Sequence, residues 1–86
     1  MQQFVYKIKD RDGVHARPAG AIIRTASANK SEVCVECHGK KISLKSGIFA
    51  LMGLSIHCGE DVTVTCEGED EEVAISAMKD AFEKYL

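Results

Sequence analysis

Apolar residues in this chain recur with two different periods, and the order in which the periods alternate is the strongest constraint on its fold. Four short segments show period two, the signature of a strand with one buried face. In Gln3–Ile8, Phe4, Tyr6 and Ile8 share one side. In Glu32–Cys37 the shared side holds Val33, Val35 and Cys37, and in Asp61–Glu67 it holds Val62, Val64 and Cys66. Lys40–Leu44 follows the turn pair His38-Gly39 and is expected to return as the second arm of a hairpin. Between these segments the period lengthens. Ala19, Ile22, Ile23 and Ala26 fall on one face of a helix that starts at Ala16 and runs out near Asn29. Pro18 sits in its first turn, where a helix tolerates proline. Ser46 precedes the apolar run Ile48–Met52 and Gly53 closes it, so a short helix capped by Ser46 is expected. Gly68-Glu69-Asp70 opens a last helix with Ala74, Ala77, Met78, Ala81 and Phe82 on its apolar face. Its acidic start and Lys84 near its end suit the helix dipole.

The resulting order is β-α-β-β-α-β-α. It implies an α+β open-faced sandwich: a four-stranded, mostly antiparallel sheet with three helices on one face. The 86 residues form a single domain, 1–86. A body this small has little room to enclose a substrate, so a carrier or docking module suits it better than a self-sufficient enzyme. The uncharged stretch Gly47–Cys58 falls short of the ~18 apolar residues of a membrane span. Met1–Asp10 alternates and has no apolar signal-peptide centre, so the reading is cytoplasmic, without membrane insertion. Residues 1–46 carry nine Lys/Arg against four Asp/Glu, and residues 47–86 carry two against nine. A basic half without clustered aromatics, joined to an acidic half, argues against nucleic acid as a partner. It leaves solvated faces of opposite sign or a protein-docking face.

The segment Gly13-Val14-His15-Ala16-Arg17-Pro18-Ala19 carries the chemistry. His15 lies at a helix start, where free amides carry partial positive charge. Arg17 adds a full charge, and Ala16 and Pro18 set the geometry of the first turn. A helix N-terminus beside a cation is an anion site. The same field disfavours imidazolium, so a largely neutral, nucleophilic His15 is expected. Gly20, inside the helix, is expected to leave room for close approach of another segment.

Cys34-Val35-Glu36-Cys37-His38 matches the haem-attachment spacing and also a metal or redox spacing. On a strand, residues three apart point to opposite faces, so Cys34 and Cys37 cannot easily share a ligand. The expectation is no metal and no cofactor, with Cys37 and Cys66 buried, Cys34 and Cys58 more exposed, and all four reduced. His38 and His57 read as ordinary turn residues. The acidic run Glu69–Glu72 reads as helix-start charge bias. A small metal-binding domain using Cys34, Cys37, Cys58 or His57 is the competing reading from another class.

The stretch GVHARPA, followed by Lys45-Ser46 and a short apolar helix, resembles the two signatures of the HPr family, the histidine-containing phosphocarriers of the sugar phosphotransferase system. The resemblance covers the whole chain. It implies that His15 takes a phosphoryl group on Nδ1 from phospho-enzyme I, which is charged by phosphoenolpyruvate. His15 would then pass the group to enzyme II A-type domains. It implies that Arg17 neutralises the phosphoryl oxygens and that Ser46 is a regulatory site for a serine kinase/phosphorylase. Ile48, Phe49 and Met52 would form the docking patch of a monomer. An HPr-like regulatory module with little transport role is the nearer alternative. The sequence departs from the family pattern at Gly47, where a bulky apolar residue usually follows the serine.

Overall fold

The alternating segments pair as their patterns require. The computed structural model describes residues 1–86. Its elements are β1 (Gln2–Lys7), α1 (Ala16–Ser27), β2 (Glu32–Cys37), β3 (Lys40–Ser43), a 3-10 turn (Leu44–Ser46), α2 (Ile48–Met52), β4 (Asp61–Glu67) and α3 (Glu71–Tyr85). The sheet order is β1-β4-β2-β3, and all three pairings are antiparallel. Register puts Phe4 and Val35 on either side of Val64, so three strands contribute to one apolar row. Val33, Val35, Cys37, Val62, Val64 and Cys66 point into the core, and the intervening residues face outward.

Ala19, Ile22 and Ala26 of α1, Leu51 of α2, and Ala74, Met78, Ala81 and Phe82 of α3 close over that face. Phe82 is the largest fully buried side chain, and Phe4 and Tyr6 meet it edge-on, each with ring centroids 5.7 Å apart. Burying a side chain of this size contributes about 1.5–3 kcal/mol. The pairs Lys7–Asp61 and Lys45–Glu32 are exposed and screened by salt, so they add little by comparison. The core therefore decides stability. The His38-Gly39 link has φ of 57° and 75°, which fits the tight hairpin turn between β2 and β3.

Four local expectations are corrected. β3 ends at Ser43, because Leu44 turns inward to the core and opens the 3-10 turn. Ser46 does not cap α2. It is the last residue of the 3-10 turn, and Gly47 occupies the cap with φ 97° and ψ 177°. That conformation is open to glycine and rare for other residues, so the cap here is backbone freedom rather than a side-chain oxygen. Gly53 closes α2 in a right-handed conformation, and the left-handed turn falls on Ser55 instead, at φ 53°. Gly20 permits no unusual approach: a Cβ there would lie 3.5 Å from Arg24 Nη1 and 3.9 Å from Ile48 Cδ1, ordinary contact distances.

The acidic run also does more than bias a helix end. The Asp70 side chain does not cap α3. It accepts from the amides of Lys30 and Ser31, each at 2.8 Å, and from the Ser31 hydroxyl. These bonds, the hydroxyl foremost, hold its carboxyl below the usual range. They tie the start of β2 to the start of α3, where a Cβ on Gly68 would come within 2.9 Å of Ser31 Cα.

Candidate functional site

The loop before α1 is built from short-range polar bonds and one tight packing contact. Asp10 Oδ1 accepts from the Asp12 amide at 2.9 Å, and the Asp10 carbonyl accepts from Gly13 at 2.9 Å. This side-chain-to-backbone turn is the arrangement aspartate favours. Gly13 has φ 66°, and a Cβ on it would stand 2.3 Å from the Ile56 carbonyl oxygen. The next amide, Val14, donates to that same oxygen at 3.0 Å. Only glycine fits there, and the loop is consequently clamped to the segment after α2.

Clamping fixes His15. Its backbone is extended, with φ −117° and ψ −177°, and its side chain caps nothing. The first helical bond runs from Ala19 N–H to the His15 carbonyl at 2.9 Å. Pro18 has no N–H, so the amides of Ala16 and Arg17 are the two donors left without an internal partner. Arg17 is exposed and pairs with no carboxylate. Pro18 is buried and Ala16 is exposed. The His15 ring is partly exposed, with Nε2 3.8 Å from Asp10 Oδ2. That is too long for a hydrogen bond. Neither ring nitrogen is otherwise engaged, so the imidazole can meet a ligand from solvent.

The residues expected to form a docking patch lie on α2, which packs against α1. Ile48 Cδ1 reaches the position above Gly20, one helical turn beyond Arg17. Phe49 is 85% exposed, while Ile48 and Met52 are half-buried and rest on the core. Ser46 is exposed, two residues before Ile48. Lys45 lies 3.5 Å from Glu32, whose carboxyl is held low first by the Ser43 hydroxyl and then by that lysine. The structure thus gathers His15, Ala16, Arg17 and Pro18 at the start of α1, sets Ile48 beside Gly20 in the next turn, and leaves Ser46 on the turn before α2.

Asp10 and Ile56 were not singled out by sequence reasoning. Asp10 carried a local signal, its Asx-turn chemistry in Asp-Arg-Asp-Gly. Ile56 carried none, since its carbonyl is recruited only by the fold.

A family profile described as "PTS HPr component phosphorylation site" matches residues 2–84. The chain belongs to the HPr family. HPr proteins are the phosphocarriers of the phosphotransferase system. The crystal structure of HPr-C-His from Thermoanaerobacter tengcongensis is 39% identical, with a TM-score of 0.91 over 99% of this chain and 94% of that one. The histidine-containing phosphocarrier protein of a Mycoplasma is 31% identical, with a TM-score of 0.92 over 96% of this chain and 93% of that one. A structure described as an HPr dimer from T. tengcongensis is 40% identical, with a TM-score of 0.76 over 98% of this chain and 95% of that one. The four-stranded sheet and its helices are those of HPr structures. No helix is long and apolar enough to cross a membrane.

The thiols follow the strand geometry. Cys37 and Cys66 are buried, Cys34 is intermediate, Cys58 is exposed, and all four are free. Burial raises the Cys66 thiol to about 11, which keeps it protonated and inert. Two clusters bring donor atoms from three side chains within 4.8 Å of one another: Asp10, Asp12 and His15, and separately Cys37, His38 and Glu60. His38 is no ordinary turn residue. Its Nε2 meets Glu60, its Nδ1 lies 3.2 Å from the Leu54 carbonyl, and its pKa is raised above the usual value chiefly by Glu60.

Proposed function

We propose that this chain is a cytosolic phosphoryl carrier that loads His15 at Nδ1 from phospho-enzyme I and unloads it to enzyme II A-type domains. Phosphoenolpyruvate charges enzyme I. The observation that carries the reading is an unengaged imidazole at a helix start, beside two free amides and the unpaired Arg17, in a chain that matches the family over residues 2–84. In unloading, a nucleophile of the acceptor forms the new bond to phosphorus and Nδ1 leaves with the electron pair of the N–P bond. In loading, the Nδ1 lone pair forms the N–P bond and the donor group leaves with the electron pair of the bond that breaks. Positive charge builds on the ring as this happens, and the Asp10 carboxylate near Nε2 is suited to stabilise it. The phosphoryl oxygens gain the helix-start amides and the Arg17 guanidinium. Asp10 is a positioning residue in this scheme, and one copy of the chain supplies every group used.

Ile48, Phe49 and Met52 serve as the docking patch, for which the exposure of Phe49 is the main support. Ser46 serves as the regulatory site of a serine kinase/phosphorylase. It is exposed next to that patch, so an added dianion would act on docking rather than on the fold.

The test is incubation with enzyme I and phosphoenolpyruvate, followed by mass measurement before and after acid treatment. One acid-labile phosphate is expected on the wild type and none on a folded His15→Ala protein. Undiminished acid-labile labelling of His15→Ala would falsify the assignment.

A further inference from the structure

We infer that Cys37, His38 and Glu60 form a binding site for a zinc-type divalent cation, separate from His15 and independent of the phosphocarrier reading. Three donors of different chemistry, a thiol, an imidazole nitrogen and a carboxylate oxygen, converge within 4.8 Å of one another. That mixture is the donor set zinc takes, and tetrahedral bonds of 2.0–2.3 Å would bring the donors to about 3.5 Å apart. His38 and Glu60 are already in contact, so little movement is needed.

The second atom of each ligand is held by the fold. His38 Nδ1 lies 3.2 Å from the Leu54 carbonyl, which accepts but cannot donate, so the ring proton belongs on Nδ1. In neutral imidazole that leaves a lone pair on Nε2, aimed at the Glu60 carboxylate. Two acceptors cannot face each other without a cation between them. Glu60 is fixed as well, because its Oε1 accepts from the His57 amide at 2.6 Å while Oε2 meets His38. Outer contacts of this kind orient metal ligands. A proton could bridge Nε2 and Oε2 as a simple ion pair. Cys37 packs in the core and donates its S–H to the Asp61 carbonyl at 3.6 Å, and it is the convergence of its Sγ with the other two donors that distinguishes a metal cluster from an ion pair.

Access and register also fit. Cys37 is buried, His38 is exposed and Glu60 is intermediate, so an ion would enter from solvent and keep an outward position for water. Burial raises the Cys37 thiol above its ordinary value. The ion would take the thiolate of Cys37, releasing its proton, and the lone pair on Nε2. Cys34 takes no part, because it lies on the other face of β2. The ion would join the β2–β3 turn to the residues just before β4, which a small domain can use as a staple.

Untagged protein stripped with chelator should be titrated with zinc by calorimetry and with cobalt by absorption. One ion per chain is expected, with the near-ultraviolet charge-transfer band of a cobalt–thiolate bond. Affinity should fall at least tenfold in His38→Gln and in Glu60→Gln, surface changes that leave the core intact. The band should vanish in Cys37→Ser, and Cys34→Ser should bind as the wild type does. Binding lost in His15→Ala but kept in His38→Gln would move the ion to Asp10, Asp12 and His15 and overturn the proposal. So would absent binding, or equal binding by every variant.

Discussion

The two candidate phosphorylation positions, His15 and Ser46, each stand close before a helix start and each have a glycine next door, yet the glycines act differently. Gly13 precedes His15 by two residues and is required by its surroundings: the Ile56 carbonyl fills the space a Cβ would need. Gly47 follows Ser46 and faces open space, with nothing within 4 Å of a Cβ. What it supplies is φ 97°, which lets the chain pass from the 3-10 turn into α2. One site is held by tertiary packing and the other by local backbone freedom. A group that must present one atom to two partners in turn gains from the first arrangement. A group that is only marked and unmarked can work with the second.

The largest effect should come from Gly13→Ala. The added methyl collides with backbone, which cannot step aside as a flexible side chain would. A loss of roughly 2–4 kcal/mol is expected in denaturant unfolding, together with loss of phosphate incorporation at His15. Stability within 1 kcal/mol of the wild type would break the distinction between the glycines.

Gly47→Ala should cost less, about 1–2 kcal/mol, because only backbone strain opposes it. Phosphate incorporation at His15 should stay within a few fold, as the strain is confined to the turn before α2. An equal drop in both quantities would mean that the two sites are not separable.

Ser46→Ala should do least. Its side chain caps nothing, so thermal unfolding should shift by no more than the ~0.5 kcal/mol of an ordinary surface change. A loss near the ~1 kcal/mol typical of a removed cap would restore a capping role.

These comparisons bear on what the sequence could show. β2 and β4 were legible to the residue, because valine and cysteine alternate with polar residues across a two-faced sheet. The placement of His15, Arg17 and Pro18 at a helix start was legible because a helix start is a local feature. The start of α2 was not, since Ser46 has the chemistry of a cap while Gly47 has the required conformation, and side-chain type alone does not rank the two. His38 was misread because its partners, Leu54 and Glu60, are 16 and 22 residues away and arrive only when β4 pairs. The Ile56 clamp was hidden for a further reason, as any residue at that position would offer the same carbonyl.

The clamp between the His15 loop and Ile56 also has an entropic consequence. Ordering a free residue costs about 1–2 kcal/mol. A carrier meets a donor and then an acceptor, so a loop that ordered only on contact would weaken both encounters, by roughly five- to thirtyfold for each residue involved. With Asp10 through Val14 already fixed by the Asp10 turn and the Ile56 carbonyl, neither partner has to organise the loop. Neither encounter then loses affinity to ordering the loop, and the same His15 backbone geometry is offered each time.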